Sequence, residues 1–244
     1  MFPLLYQAHH NRHLDDLPFW LSLADQRGDP ILELGCGTGR VTLPLAGAGH
    51  RMYGIDNDQG MLTALGEDLT LNLTSRVHVW LGDMTSFRIA LNFPLIIMPC
   101  NTFSTLSLVE RTTTLARVAG HLLEEGTFAV SLPNPTTLKS LPYHSDPVIE
   151  DIYPHPIDGQ PVQVSSGWER TGDQFTVTWH YDHLFPDGSV ERTTSHARHN
   201  LVSAEQIGAE LDVAGLRISQ CYGDFDGSPY SADGPYFIFL AVRD

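Results

Sequence analysis

Residues 31–39 read Ile-Leu-Glu-Leu-Gly-Cys-Gly-Thr-Gly: a short apolar run passes directly into glycines at the alternate positions 35, 37 and 39. Glycine has no β-carbon, so a ligand laid on such a turn touches the main chain itself. The following RVTLPLAGAG has helical character, and strand, glycine turn and helix make the first unit of an α/β sheet. A dinucleotide fingerprint would need G-x-G-x-x-G, but position 40 is Arg. A Walker A loop is excluded because G-K-[ST] is missing.

Outward from the loop the pattern repeats. MYGID at 52–56 predicts a second strand, and Met61, Leu62, Leu65 and Leu69 mark one side of a helix. VHVWL at 77–81, LIIM at 95–98 and TFAVSL, begun by Gly126, predict three more strands, with a helix carrying Leu115, Val118, Ala119 and Leu122 before the last. A leading helix over 14–26 precedes the first strand. Strands alternating with helices imply a doubly wound parallel sheet.

The rhythm changes at 133, where a proline-rich stretch to 161 predicts a long connection. VQVSSGW, QFTVTWHYDHL and VERTTSHARH then read as antiparallel strands, the last two joined by Pro186-Asp187-Gly188. Ser203 and Gln206 have capping-box spacing before a helix striped by Ile207, Leu211 and Ala214, and LRISQCY and YFIFLAV supply the last two strands. The expected architecture is a Rossmann-like, seven-stranded sheet, mostly parallel with an antiparallel last strand. One domain spans 1–244, with a helical cap over 1–27 and an antiparallel β insert over 133–200 that covers the substrate.

Fourteen basic residues against twenty-nine acidic ones give a formal charge of −15 in 244 residues, 42% of them hydrophobic. Phosphate backbones and anionic membranes bind through clustered Lys and Arg, so neither is an expected partner; a small polar or cationic molecule fits better. Cys36, Cys100 and Cys221 are scattered and form no CxxC pair, which suggests no disulfide framework and no structural zinc. His9, His10 and His13 lack acidic or cysteine partners at fixed spacing, and the expectation is a solvated polar helix start with no metal. The chain turns polar within six residues and has no run of ~18–20 apolar residues, so a cytoplasmic protein is expected.

Asp56 ends the second strand about twenty residues after the glycine loop, where a carboxylate can accept from both hydroxyls of a ribose. Asp83 holds the same place after the third strand. Each alone would read as a cap of the turn that follows it. Together, ILELGCGTGR, YGID, Gly82-Asp83-Met84 and LIIMPCNTF resemble, over 31–132, the successive signatures of class I S-adenosylmethionine-dependent methyltransferases. The resemblance implies that Glu33, Gly35, Gly37 and Gly39 line the methionine half of the cofactor. Asp56 and the adjoining Asn57 would meet the ribose, Asp83 and Met84 would flank the adenine, and Asn101 would face the sulfonium or substrate. Cys36, within the loop, would lie close to the cofactor as a small filler without a catalytic role.

The N-terminal stretch and the β insert are similar to those of glycine and sugar-amine N-methyltransferases. Gln7 and Asn200 depart from the Asp and Arg expected in many of those relatives. Methyl transfer from a sulfonium needs alignment and exclusion of water more than dedicated acid–base groups, so the acceptor shell is less legible than the cofactor site. Candidates for it are Tyr6, His9, His10, Asn101, Tyr143, His144, His180, His196 and Tyr222, with Tyr6, His180 and His196 foremost as catalytic groups. The expected reaction is methylation of a small soluble acceptor, N-methylation being preferred because an acidic surface suits a cationic amine. Alternatives are an O-methyltransferase, a non-catalytic binder of S-adenosylmethionine, a dinucleotide-dependent oxidoreductase, and methylation of a protein or tRNA. The Asn-Thr-Phe at 101–103 lacks the N-P-P-[YF] or D-P-P-[YF] form that resembles base- and glutamine-modifying branches. The oligomeric state is not specified by the sequence.

Overall fold

Ile31–Leu34 (β1) is buried at all four positions, as a strand covered on both faces must be. In the computed structural model, which describes residues 1–243, it lies inside a seven-stranded sheet. Parallel neighbours flank it: Met52–Asp56 (β2) on one side and Phe93–Met98 (β4) on the other. Val77–Leu81 (β3) closes the β2 edge. Beyond β4 come Leu122–Pro133 (β5), then antiparallel Tyr236–Arg243 (β11), then Leu216–Tyr222 (β10). The order β10-β11-β5-β4-β1-β2-β3 reverses direction between β1 and β4, and at such a switch point the carboxyl ends of the strands open a crevice.

Alternate residues of each strand feed two cores. Leu32, Leu34, Ile96, Phe128 and Phe239 pack with Leu115 and Val118 of Leu108–His121 (α6) and Leu211 of Ala204–Val213 (α8). Ile31, Met52, Leu95 and Ile97 pack on the other face with Trp20 of Leu17–Arg27 (α2), Leu45 of Thr42–Ala48 (α3) and Leu65 of Gln59–Asp68 (α4). The expected seven-stranded, largely parallel architecture is what folds.

Three local expectations change. The fifth strand begins at Leu122, which pairs with Phe93; the register then jumps so that Leu95 faces Thr127, and Gly126 belongs to the bulge between them. The fourth strand likewise starts earlier, at Phe93. The connection predicted over 133–161 holds a helix, Pro135–Ser140 (α7), and a full strand, His144–Pro154 (β6). Pro147 is tolerated there because β6 is an edge strand and the proline lies in a register shift between Ser145 and Val148.

With Pro161–Thr171 (β7), Gln174–Leu184 (β8) and Val190–Asn200 (β9), β6 makes a four-stranded antiparallel sheet. At 203–206 only half of the capping box forms. The Ser203 hydroxyl accepts from the Gln206 amide, but the Gln206 side chain donates to Glu210 instead. A complete box, unforeseen, starts α6 at Ser107 and Glu110.

Phe2–His10 (α1) lies on this second sheet rather than in solvent. Leu5 joins Tyr153, Val162, Val164 and Tyr181 in a third core, and the Tyr153 hydroxyl donates to the Leu5 carbonyl. His9 is buried, its Nδ1 3.3 Å from the Tyr181 hydroxyl, which overturns the solvated helix start expected from its histidines. The Tyr181 side of β8 supplies apolar surface, and burying it outweighs the desolvation of a neutral imidazole.

Candidate active site at the sheet's switch point

The three glycines after β1 have positive φ and three different tasks. A β-carbon on Gly35 would sit 2.9 Å from Thr102 Cγ2, so this residue lets the loop meet the short helix Thr102–Thr105 (α5). One on Gly39 would sit 2.9 Å from carbons of Leu43 and Leu65, where the loop packs on α3 and α4. On Gly37, with φ of +52°, it would meet nothing within 4 Å. Gly37 is therefore the open edge of the loop, where an added methyl would meet no protein atom.

The main chain around Gly37 is held by β2. Gly35 and Cys36 both donate to the Ile55 carbonyl, at 2.8 and 3.1 Å. Asp56 accepts from the Gly37 amide at 2.8 Å through one oxygen and from the Asp58 amide at 2.9 Å through the other. Cys36 turns away into the core, where its sulfur packs on Gly54; a β-carbon at 54 would lie 2.8 Å from it. Below the loop, Glu33 is 2% exposed, accepts from the Thr42 hydroxyl, and is pushed up to about 8 by burial.

Across the crevice the turn after β4 carries Cys100 and Asn101, with φ of 59° and 62°. Two successive non-glycine residues in the left-handed region are costly, and such strain gathers at functional sites. The turn is braced. Ser104 donates to the Asn101 carbonyl through both its amide, at 3.1 Å, and its hydroxyl, at 2.6 Å. That hydroxyl also lies 2.8 Å from His199 Nδ1, and burial lowers the His199 imidazole to about 4. Asn200 donates to the carbonyls of Ser104 and Leu106.

Arg40, which spoils the dinucleotide pattern, forms a fork on both oxygens of Asp16 at 2.6 Å and reaches Cys100 Sγ at 2.9 Å. It thus ties the glycine loop to the start of α2 and the end of β4. Tyr6 of α1 lies within the electrostatic reach of Cys100, Arg40 and Asp56, and burial raises its phenol. Its ring stacks on His10 at 3.9 Å, and His10 meets Trp179 edge-on. His10 Nδ1 is buried without a hydrogen-bond partner, and burial lowers its imidazole to about 3. Gln7 donates to the Thr38 carbonyl and to Asp68, so α1 is clamped to the loop and to α4.

Residues 31–126 match the family model described as a methyltransferase domain. The chain carries a methyltransferase domain over this stretch. It is similar to the cypemycin N-terminal methyltransferase of a Streptomyces species, 26% identical over 217 residues, covering 88% of this chain and 84% of that protein. Its fold matches the CcbJ methyltransferase from Streptomyces caelestis with a TM-score of 0.77 at 22% identity, over 95% of this chain and 96% of the other. It also matches CalS10, an amino pentose methyltransferase from Micromonospora echinaspora solved with S-adenosylmethionine bound: TM-score 0.73, 18% identity, 98% and 97% coverage.

The methyltransferase fold gathers some candidates of the sequence reading and scatters others. Glu33 and the three glycines lie on β1 and in the turn after it, Asp56 ends the neighbouring β2, and Asn101 follows β4 on the other side; Met84 would lie 3.7 Å from a β-carbon on Gly35. Asp83 accepts from the Thr85 amide, and Asn57 is exposed between Asp56 and the cap of α4. Tyr222 meets Phe19 of α2 at 5.7 Å.

His180 and His196 do not point to α1. On β8, Trp179 and Tyr181 face that helix, so residues 178, 180 and 182 face away; His180 is bonded to Thr194, and His196 to Thr178, across the outer surface. Tyr143 is exposed beneath the Arg170 guanidinium, and exposed His144 pairs with Asp146. Arg40, Gln7 and His199 are the groups missed; a position filled by Arg instead of Gly was the one local signal among them.

Proposed function

We propose that this methyltransferase places a methyl group on an amine nitrogen of a small soluble acceptor. The observation that carries this reading is the state of the two imidazoles near the crevice. Burial holds His10 at about 3 and His199 at about 4, so both are neutral and weakly basic at physiological pH. A hydroxyl acceptor needs its proton removed by a base of pKa near the working pH, which these groups do not supply. A free amine brings its own lone pair. Buried surroundings also favour the free base of an amine over its ammonium, while the −15 charge attracts amines as cations from solution.

S-adenosylmethionine supplies, when bound, a methyl on a sulfonium that departs readily. Its fit rests on the open edge at Gly37 and on the buried Glu33 carboxyl, which a cationic ligand would help to ionise. In this reading Glu33, Gly35, Gly37 and Gly39 hold its amino-acid half, Asn101 faces the sulfonium or the acceptor, Asp56 and the adjoining Asn57 lie at its ribose, and Asp83 and Met84 flank its adenine. Cys36 serves only as loop packing. Residues 1–27 cap the crevice and 133–200 cover the acceptor within one domain, excluding water while Tyr6, His10 and Trp179 line the approach. The named substrates of two relatives, a peptide N-terminus and an amino pentose, both present amines.

The three cysteines are unpaired, which supports a reducing, cytoplasmic setting. No helix among the described residues is long and apolar enough to cross a membrane. The acidic balance weighs against a nucleic-acid acceptor.

The test is release of S-adenosylhomocysteine with panels of aminosugars, peptides with free N-termini, and phenols or alcohols lacking an amine. Turnover with amines alone is expected, rising with pH along the acceptor's own ionisation and surviving His10→Gln. Efficient methylation of an amine-free alcohol would overturn the reading.

A further inference from the structure

At the far end of the second sheet, His155, Asp158 and His183 bring one ligand atom each to within 4.8 Å of one another. We propose that they form a binding site for a single divalent transition-metal ion of the zinc type, separate from the crevice. His155 is 4% exposed and His183 8%, while Asp158 is open to solvent, so an ion has an entry path. Asp158 already sits 3.2 Å from His155 Nδ1 and 3.2 Å from His183 Nε2. Two ligands at ~2.1 Å on a tetrahedral zinc are separated by about 3.3–3.5 Å, so these two spacings need little change.

The donors are preorganised. His155 and Asp158 lie in one tight loop, closed by bonds from the His155 amide to the Gln160 carbonyl and from the Gly159 amide to the His155 carbonyl. The Gln160 amide also donates to Asp158, fixing its carboxylate. His183 enters from β8, where it pairs with Val162 and its ring lies 4.2 Å from that of Phe185.

The arrangement of His155 is unusual for a simple ion pair. Its Nδ1 receives the Ile157 amide at 3.4 Å, which requires a lone pair there, yet faces a carboxylate oxygen at 3.2 Å, which a lone pair repels. A cation between nitrogen and carboxylate would take that lone pair in place of the long 3.4 Å contact with the Ile157 amide and turn the repulsion into two attractions. The two imidazoles now stack at 4.0 Å and 9°, so one must rotate about its Cβ–Cγ bond to aim its nitrogen at a shared centre. Two neutral imidazoles and one carboxylate suit zinc or cobalt(II) rather than magnesium or calcium, with water as the fourth ligand. Such an ion would pin the 155–160 loop to β8, beside the Tyr153 and Tyr181 surface that carries α1.

Untagged protein stripped with chelator and dialysed would be titrated with zinc chloride by calorimetry and with cobalt(II) by visible absorption. One equivalent per chain and a tetrahedral cobalt spectrum are expected. His183→Gln, and independently His155→Ala and Asp158→Asn, should each weaken zinc binding by more than about tenfold. His180→Ala and His196→Ala, on the outer surface, should leave it unchanged. Circular dichroism of every variant separates loss of the site from loss of the fold, and a folded variant among the three suffices. No zinc binding to the wild-type protein at micromolar concentration would overturn the proposal, since the cluster would then share only a proton. Undiminished binding in a folded His183→Gln or His155→Ala variant would overturn it too.

Discussion

The Asp56 carboxylate accepts the Gly37 amide at 2.8 Å, joining the end of β2 to the one glycine of the 35–39 loop where an added β-carbon would meet nothing within 4 Å. That bond fixes the edge of the crevice before any ligand arrives. A charge-assisted bond of this kind contributes about 1.5–3 kcal/mol, so Asp56→Ala should weaken S-adenosylhomocysteine binding about tenfold to a hundredfold in calorimetry. Asp56→Asn, which keeps one acceptor oxygen, should lose less. Equal affinity in all three proteins would remove Asp56 from the cofactor site.

Gly37 and Gly54 should respond to alanine in opposite ways. At Gly37 the new methyl meets no atom, and the left-handed backbone costs about 1–2 kcal/mol, so the protein should stay folded and lose cofactor binding. At Gly54 the methyl would press on the Cys36 sulfur and on Val79, an overpacking that costs about 1–3 kcal/mol. Gly54→Ala should therefore unfold at lower urea concentration. A Gly37→Ala protein that binds normally would contradict the assignment of the open edge.

Glu33 should make cofactor binding pH-dependent. Its carboxyl ionises at about 8 in the folded protein against 4.5 ordinarily, because burial disfavours the charged form. The folded state thus holds a proton that the unfolded chain releases. Its contribution to stability is complete below pH 4.5 and is lost as the pH rises through about 8. If S-adenosylmethionine favours ionised Glu33, binding releases up to one proton and tightens by as much as about tenfold per pH unit below that value. Calorimetry at pH 7 in buffers of different ionisation enthalpy should show this release, and Glu33→Gln should abolish it.

Arg111 of α6 and Glu210 of α8 form a two-bond pair at 2.7 and 2.8 Å, 2% and 9% exposed, and Arg111 also donates to the Leu106 carbonyl. Removing one partner strands a buried charge. Arg111→Met should cost about 3–5 kcal/mol in urea denaturation, and the double variant with Glu210→Leu should recover much of it. A loss below about 1 kcal/mol for Arg111→Met would show that water reaches the pair.

Burial rhythm along the chain was enough to reveal the large sheet. Leu95–Met98 is a continuous apolar run because both its faces are covered, Ile31–Leu34 is apolar but for Glu33, and the stripes of α4 and α6 match the faces they bury. The glycine turn and Asp56 were readable for a similar reason: a tight turn and a strand end are local, and neighbouring residues set them. The Pro147 strand was hidden because edge position and bulge, which make proline harmless there, depend on the partner strand.

Sequence alone settled the alternation of strands and helices along 31–132, the bare loop after β1 and the carboxylate at the end of β2, since each follows from short-range periodicity or from the one residue type a sharp turn accepts. Tertiary structure decided which histidines matter. Alternation on β8 says that His180 and Tyr181 lie on opposite faces but not which face receives α1, and that choice put His9 and His10 inside and His180 and His196 outside. It also decided that Arg40, read from the chain as merely not glycine, clasps Asp16 and Cys100, residues 24 and 60 positions away. Contacts of that span come from packing apolar faces together, and no local pattern encodes them.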